Sequence, residues 1–128
     1  MAYKFEQREL EFRAWDGTGM MSIHDYRGNV STFFAMHESD HPIMQWTGLV
    51  DKTGRDIYEG DVIANESYSR VVEFKPNAGS FRMAHIHMLY RQPFEDIWQP
   101  MEQAYINEFG LEVIGNVFEN PELIPDGI

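Results

Sequence analysis

The chain has 128 residues and carries 10 basic against 21 acidic side chains, a formal charge of −11 with histidines neutral. That length supports one domain, 1–128, with a hydrophobic core of its own, and the absence of cysteine removes disulfides, thiolate metal sites and cysteine nucleophiles. An acidic surface repels phosphate backbones, so direct nucleic-acid binding is disfavoured; no apolar run approaches the ~20 residues that cross a bilayer, and a cytoplasmic protein is expected.

In chain order, residues 1–9 show no pattern and read as a lead-in. Leu10, Phe12 and Ala14 then alternate with Glu11, Arg13 and Trp15, the period of a strand. Asp16-Gly17-Thr18-Gly19 is a turn signal, and 20–24 return as the second strand of a hairpin. After a turn at 25–29, Val30, Thr32 and Phe34 predict a third short strand. The polar run 36–42, with His37, Glu38, Asp40 and His41, predicts a loop that ends at Pro42.

The most legible stretch is MQWTGLVDKTGRDIYEGDVI, residues 44–63. Asp51-Lys52-Thr53-Gly54 has the composition of a tight turn, and Glu59-Gly60-Asp61 of a second reversal, with Gly54 and Gly60 free to take positive φ. Asp61 is expected to accept hydrogen bonds from turn amides. Beyond it, 71–74 and 81–90 read as a hairpin closed at 76–79. The period then changes: Met101, Tyr105 and Phe109 predict a short helix that starts at Pro100, packs on the sheet and ends at Gly110. Residues 94–98 are left as a turn or a separate helical piece. A last strand spans 111–118 with a bulge or close approach at Gly115, and Asn120-Pro121-Glu122 opens a helical turn. The fold class is therefore mainly β, antiparallel sheets or a small partly open β-barrel with one short packed helix in the C-terminal third.

Residues 44–63 resemble the signature of the YopX family, a group of small phage and prophage proteins. LEFRAWD at 10–16 resembles the family's opening strand, and EVIGNVFENPEL at 112–123 its close, so the likeness brackets almost the whole chain. The resemblance implies a mostly β fold in a bacterial host cell. It implies no activity and no catalytic residues.

Three constellations are chemically suggestive. His85 and His87 stand two apart on one strand, so both imidazoles reach the same side, with Glu73 on the paired strand as a third metal ligand; two satisfied histidines on a two-sided strand explain the same pattern. The His37–His41 run has acid–base residues but reads as a solvated loop. Asp56, Glu59 and Asp61 crowd around Gly60, which suits either a hard cation or plain turn chemistry. No phosphate loop, dinucleotide fingerprint or nucleophile elbow is present, and no cofactor is implied.

The leading reading is a non-enzymatic phage or prophage accessory protein that binds a host or phage protein, one that is basic if the acidic charge is used. Trp98, Tyr105, Trp46 and Tyr90 are the candidate contacts, because aromatics dominate interface hot spots. Two alternatives stand beside it. One is a metal-assisted hydrolase on nucleic acid using His85 and His87. The other is an acidic nucleic-acid mimic, built on a C-terminal third that has no Lys or Arg after Arg91. Homo-oligomers by pairing of free strand edges are also compatible with the sequence.

Overall fold

The computed structural model describes residues 4, 6–7, 9–26, 29–37, 41–76, 78–86 and 98–124. The chain opens with a hairpin of β1 (Phe12–Trp15) and β2 (Met20–Ser22). Its turn is built by one carboxylate oxygen: Asp16 Oδ1 accepts the Thr18 amide at 2.8 Å, the Thr18 hydroxyl at 2.9 Å and the Gly19 amide at 2.7 Å. The Thr18 and Gly19 amides, with the Thr18 hydroxyl, pull the Asp16 carboxyl down to about 2.

One turn of 3-10 helix (Ile23–Tyr26) leads into helix α1 (Val30–His37), which corrects the strand expected over residues 30–34. The alternation at Val30, Thr32 and Phe34 is incidental. Asn29 caps the helix: its Oδ1 accepts the Thr32 amide at 3.0 Å and its carbonyl accepts the Phe33 amide at 3.0 Å. Phe33 and His37, four residues apart, are then both buried. Phe33 joins Ala14 and Ile23 in a core flanked by Phe12, Tyr26, Phe34 and Ile43.

Strand β3 (Ile43–Val50) pairs antiparallel with β1 on one side and with β4 (Asp56–Tyr58) on the other, giving the order β2-β1-β3-β4. The reversal at Glu59-Gly60 then hands the chain to a second sheet. That sheet comprises β5 (Asp61–Ala64), β6 (Ser69–Lys75), β7 (Ser80–His85), β8 (Trp98–Pro100) and β9 (Glu112–Asn116), in the order β8-β7-β6-β5-β9. The β6–β7 hairpin holds an unbroken register from Arg70 opposite His85 to Lys75 opposite Ser80, as the sequence predicts. All pairings among the described residues are antiparallel, so the fold is two antiparallel sheets with helices set against them.

The C-terminal helix α2 (Gln103–Phe109) starts three residues later than expected. Pro100 lies instead in β8, opposite Arg82, at the end of the sheet order, where the missing N–H of proline is tolerated. Gly110 ends α2 in the left-handed region at φ 60°, as read from the sequence. The buried stripe shifts by one residue. Ile106 is fully buried beside Ile57, Ile63, Val72, Met83, Leu111 and Val113, with Met101 and Tyr105 packed at the margin, whereas Phe109 is exposed.

Gly115 is the close approach that the sequence suggests. A β-carbon there would meet the Asn120 side chain, and Leu123 Cδ1 at 2.8 Å. The β5–β9 register also slips between Val62 and Ile63, the expected bulge. The helical turn after it spans Pro121–Leu123 with Asn120 at its N-cap, but the Asn120 side chain makes no capping bond. Its Oδ1 reaches back to the Asn116 amide at 3.1 Å.

Gly60 has φ +83°, and an added β-carbon would sit 3.2 Å from Met44 Sδ. Gly60→Val therefore combines left-handed strain with crowding. A loss of about 2 kcal/mol is expected, read as a lower thermal midpoint; an unchanged midpoint would show that the turn relaxes without cost.

Candidate functional site

The two turns of residues 44–63 hold the two carboxylates that are buried among the described residues, Asp51 and Asp61. Asp51, 2% exposed, uses both carboxylate oxygens. Oδ1 accepts the Thr53 amide at 2.8 Å, the Thr53 hydroxyl at 2.7 Å and the Arg55 amide at 3.0 Å, while Oδ2 accepts the Val113 amide at 2.9 Å. The first three close the β3–β4 turn; the fourth docks that turn on the outer edge of β9. Burial raises the Asp51 carboxyl, but these donors together outweigh it and hold it below 3.8. Lys52 adds its own amide to the Leu111 carbonyl at 2.9 Å. With Asn120 on the Asn116 amide, two amides of β9 are taken by side chains, those of Asp51 and Asn120.

Asp61, 1% exposed, also uses both carboxylate oxygens. Its Oδ2 accepts the Tyr58 amide at 2.7 Å, and its Oδ1 pairs with Arg13 Nη2 at 2.7 Å. Arg13 also donates to the Glu59 carbonyl at 3.1 Å and lies 4.7 Å from the centre of the Tyr58 ring, so β1 of one sheet is tied to β5 of the other. Burial raises the Asp61 carboxyl, with the Arg13 charge and the Tyr58 amide offsetting part of the rise. The Tyr58 hydroxyl donates to Glu11 Oε2 at 3.3 Å, whose other oxygen is 3.1 Å from His24 Nε2. Burial, then the Glu11 charge, pushes the Tyr58 phenol up to about 12. Glu59 turns away and accepts the Gln45 amide at 2.9 Å, so Asp56, Glu59 and Asp61 do not converge on a common point. Turn chemistry accounts for Asp51, Gly54, Gly60 and Asp61 together.

Of the metal candidates, His87 lies outside the described residues. In the β6–β7 ladder His85 pairs with Arg70 and Glu73 pairs with Arg82, three residues along β6. An odd offset places the two positions on opposite faces of a strand. The Glu73 carboxylate is engaged by Arg82 Nε. Among the described residues no three His, Asp or Glu side chains gather closely enough to hold a metal ion. Of the loop predicted over 36–42, Met36 and His37 belong instead to α1, and residues 38–40 lie outside the described residues. His37 is buried, its Nε2 lies 2.6 Å from the Tyr26 hydroxyl, and its Nδ1 lies 2.9 Å from Nδ1 of His41, so one N–H bridges the two rings.

Of the partner candidates, Tyr90 lies outside the described residues and Trp98 is placed by register alone, opposite Ala84. Tyr105 is half-buried on α2, its hydroxyl 3.3 Å from that of Tyr68 and 3.4 Å from Arg70 Nη1; the Arg70 guanidinium lies 4.0 Å from the centre of the Tyr68 ring. This packing gives Tyr105 a structural role beside the core. Trp46 is different. It stands where the β3–β4 register breaks, between Trp46 and Val50, and its indole N–H donates to the Leu49 carbonyl at 3.0 Å. A cleft of about 170 Å³ opens there, lined by Glu9, Gln45, Trp46, Thr47 and Gly48. Gly48 has φ +85° and open space where a β-carbon would be. Further along β3, Gln103 bonds both the amide and the carbonyl of Val50, at 3.0 and 2.8 Å, and substitutes for a neighbouring strand.

The family model described as "YopX protein" matches residues 21–125. The chain belongs to the YopX family. Two solved structures are similar to the chain. The crystal structure of protein EF1440 from Enterococcus faecalis is similar at TM-score 0.61 and 27% identity, over 93% of this chain and 100% of that one. Protein yopX from Bacillus subtilis aligns at TM-score 0.48 and 21% identity, over 92% and 97%. No curated protein matches. In this YopX-family protein, the opening and closing stretches that carry the family resemblance meet in space: Trp15 stacks on Phe118 with ring centres 6.2 Å apart. Among the described residues no helix is long and apolar enough to cross a membrane.

Proposed function

We propose that this YopX-family protein is a non-enzymatic phage accessory protein, a single domain that acts by binding another protein at the Trp46 cleft. The observation that carries this reading is the cleft's size and make-up. At about 170 Å³ it is below the ~300–1,000 Å³ of pockets that enclose small molecules or cofactors. It suits one inserted side chain, beside an aromatic ring already fixed by its own hydrogen bond. The charge of −11 favours a basic partner and fast, salt-sensitive association.

The test is affinity capture of tagged protein from bacteria carrying the phage or prophage, with low-salt and high-salt washes, in parallel with Trp46→Ala. One partner recovered in near-equal amount at low salt, and lost both at high salt and with the folded variant, is the expected result. A partner that binds the variant equally well would move the interface off the cleft. Recovery of the folded protein alone in both washes would remove the reading.

A further inference from the structure

The chemistry of the Trp46 cleft specifies its occupant more narrowly. We infer that the cleft is a socket for an arginine side chain presented by a basic polypeptide partner, a step that rests on the protein-binding reading above.

Three features of the wall select a planar cation. First, Glu9 lines the cleft and is exposed, and among the described residues no hydrogen bond or ion pair engages its carboxylate. Glu11 and Glu59, by contrast, are occupied, Glu11 by His24 and Tyr58 and Glu59 by the Gln45 amide. Second, Trp46 supplies an indole held in one orientation by the bond to the Leu49 carbonyl. A guanidinium stacks on an indole face and forks to a carboxylate at once, which an ammonium does less well and an apolar side chain not at all. Third, Gly48 leaves the mouth open: beyond its two chain neighbours, no heavy atom lies within 4 Å of where its β-carbon would stand, so a side chain can enter without displacing backbone. Thr47 is already committed, since its hydroxyl donates to the Ile57 carbonyl at 2.7 Å and accepts the Leu49 amide at 3.2 Å, so the wall does not need to rearrange on binding.

The experiment is a titration of the full chain, labelled with nitrogen-15, by three capped tripeptides: acetyl-Gly-Arg-Gly-amide, its lysine counterpart and its norleucine counterpart. The Trp46 indole signal is identified by its loss in Trp46→Phe. The arginine peptide is expected to shift the Trp46 indole and Gly48 amide signals saturably in the millimolar range, the lysine peptide more weakly and the norleucine peptide not at all. Glu9→Gln, at an exposed position where folding is not at stake, is expected to weaken the arginine peptide by about two- to fivefold. Absence of a shift with arginine, or an equal shift with norleucine, overturns the socket. The partner capture separates the two levels of inference. Capture that persists with no arginine response leaves protein binding standing with a different occupant, whereas loss of both removes the whole reading.

Discussion

Replacing Asp51 by alanine is expected to lower the unfolding free energy by about 3 kcal/mol, measured by urea denaturation with an unchanged slope. The substitution removes four hydrogen bonds from a nearly buried carboxylate, three within the β3–β4 turn and one to Val113 on β9, 62 residues away. Asp51→Asn keeps the shape but not the donor–acceptor pattern. One oxygen becomes an NH2 group that must face either the Val113 amide or the Thr53 and Arg55 amides, so about 2 kcal/mol is expected. The pH dependence carries the same signature. Because Asp51 is held below 3.8 in the folded protein, its contribution is present above that ordinary value and is lost as pH falls through the lowered one. Asp51→Asn should therefore flatten the stability profile at and below about pH 4, the ordinary carboxylate range. Asp51→Ala within 1 kcal/mol of wild type, or an acid limb that Asp51→Asn leaves as steep, would show that the turn is held by its neighbours.

How far the residues alone reveal this arrangement depends on the range of each interaction. The turns at Asp51–Gly54 and Glu59–Asp61 and the β6–β7 hairpin are visible because their determinants sit within a few residues of one another. Helix α1 is misread for a local reason. Val30-Ser31-Thr32-Phe33-Phe34 satisfies both a period of two and a helical face, and only the Asn29 cap and the Phe33–His37 spacing decide between them. The start of α2 is misread because proline suits a first helical turn as well as the end of a sheet, and only pairing with Arg82 shows which. At the candidate site, Trp46 is legible as an aromatic in the most ordered stretch of the sequence. Glu9 is not, since residues 1–9 carry no periodic signal and Glu9 comes to line the cleft only through the pairing of β1 with β3. Arg13 is the missed clue: an arginine that shares its strand face with Trp15, between the apolar Phe12 and Ala14, calls for a buried acid somewhere else in the chain.

That acid is Asp61, and the pair makes a prediction of opposite character to Asp51. Arg13→Met and Asp61→Leu are each expected to cost about 3–4 kcal/mol, because each leaves the other charge buried without its partner. Asp61→Leu also strips the Tyr58 amide of its acceptor, and Arg13 Nε already lacks a partner in the intact protein. The double substitution should cost only about 1–2 kcal/mol, since no ion is then taken out of water and two apolar side chains fill the space between the sheets. The raised Asp61 carboxyl points the same way: burial costs the ionised form more than Arg13 and the Tyr58 amide return. The sign also separates this site from Asp51 on the pH axis. A carboxyl raised in the folded state gives no stability that acid can remove, so protonating Asp61 should not steepen the acid limb, and that limb should track Asp51 instead. A double-mutant cycle by urea denaturation decides the matter. Costs that simply add would mean that Arg13 and Asp61 stabilise the fold independently. A strongly non-additive cycle would identify the pair as the joint that sets β1 against β5, and with it the position of β3 and the Trp46 cleft.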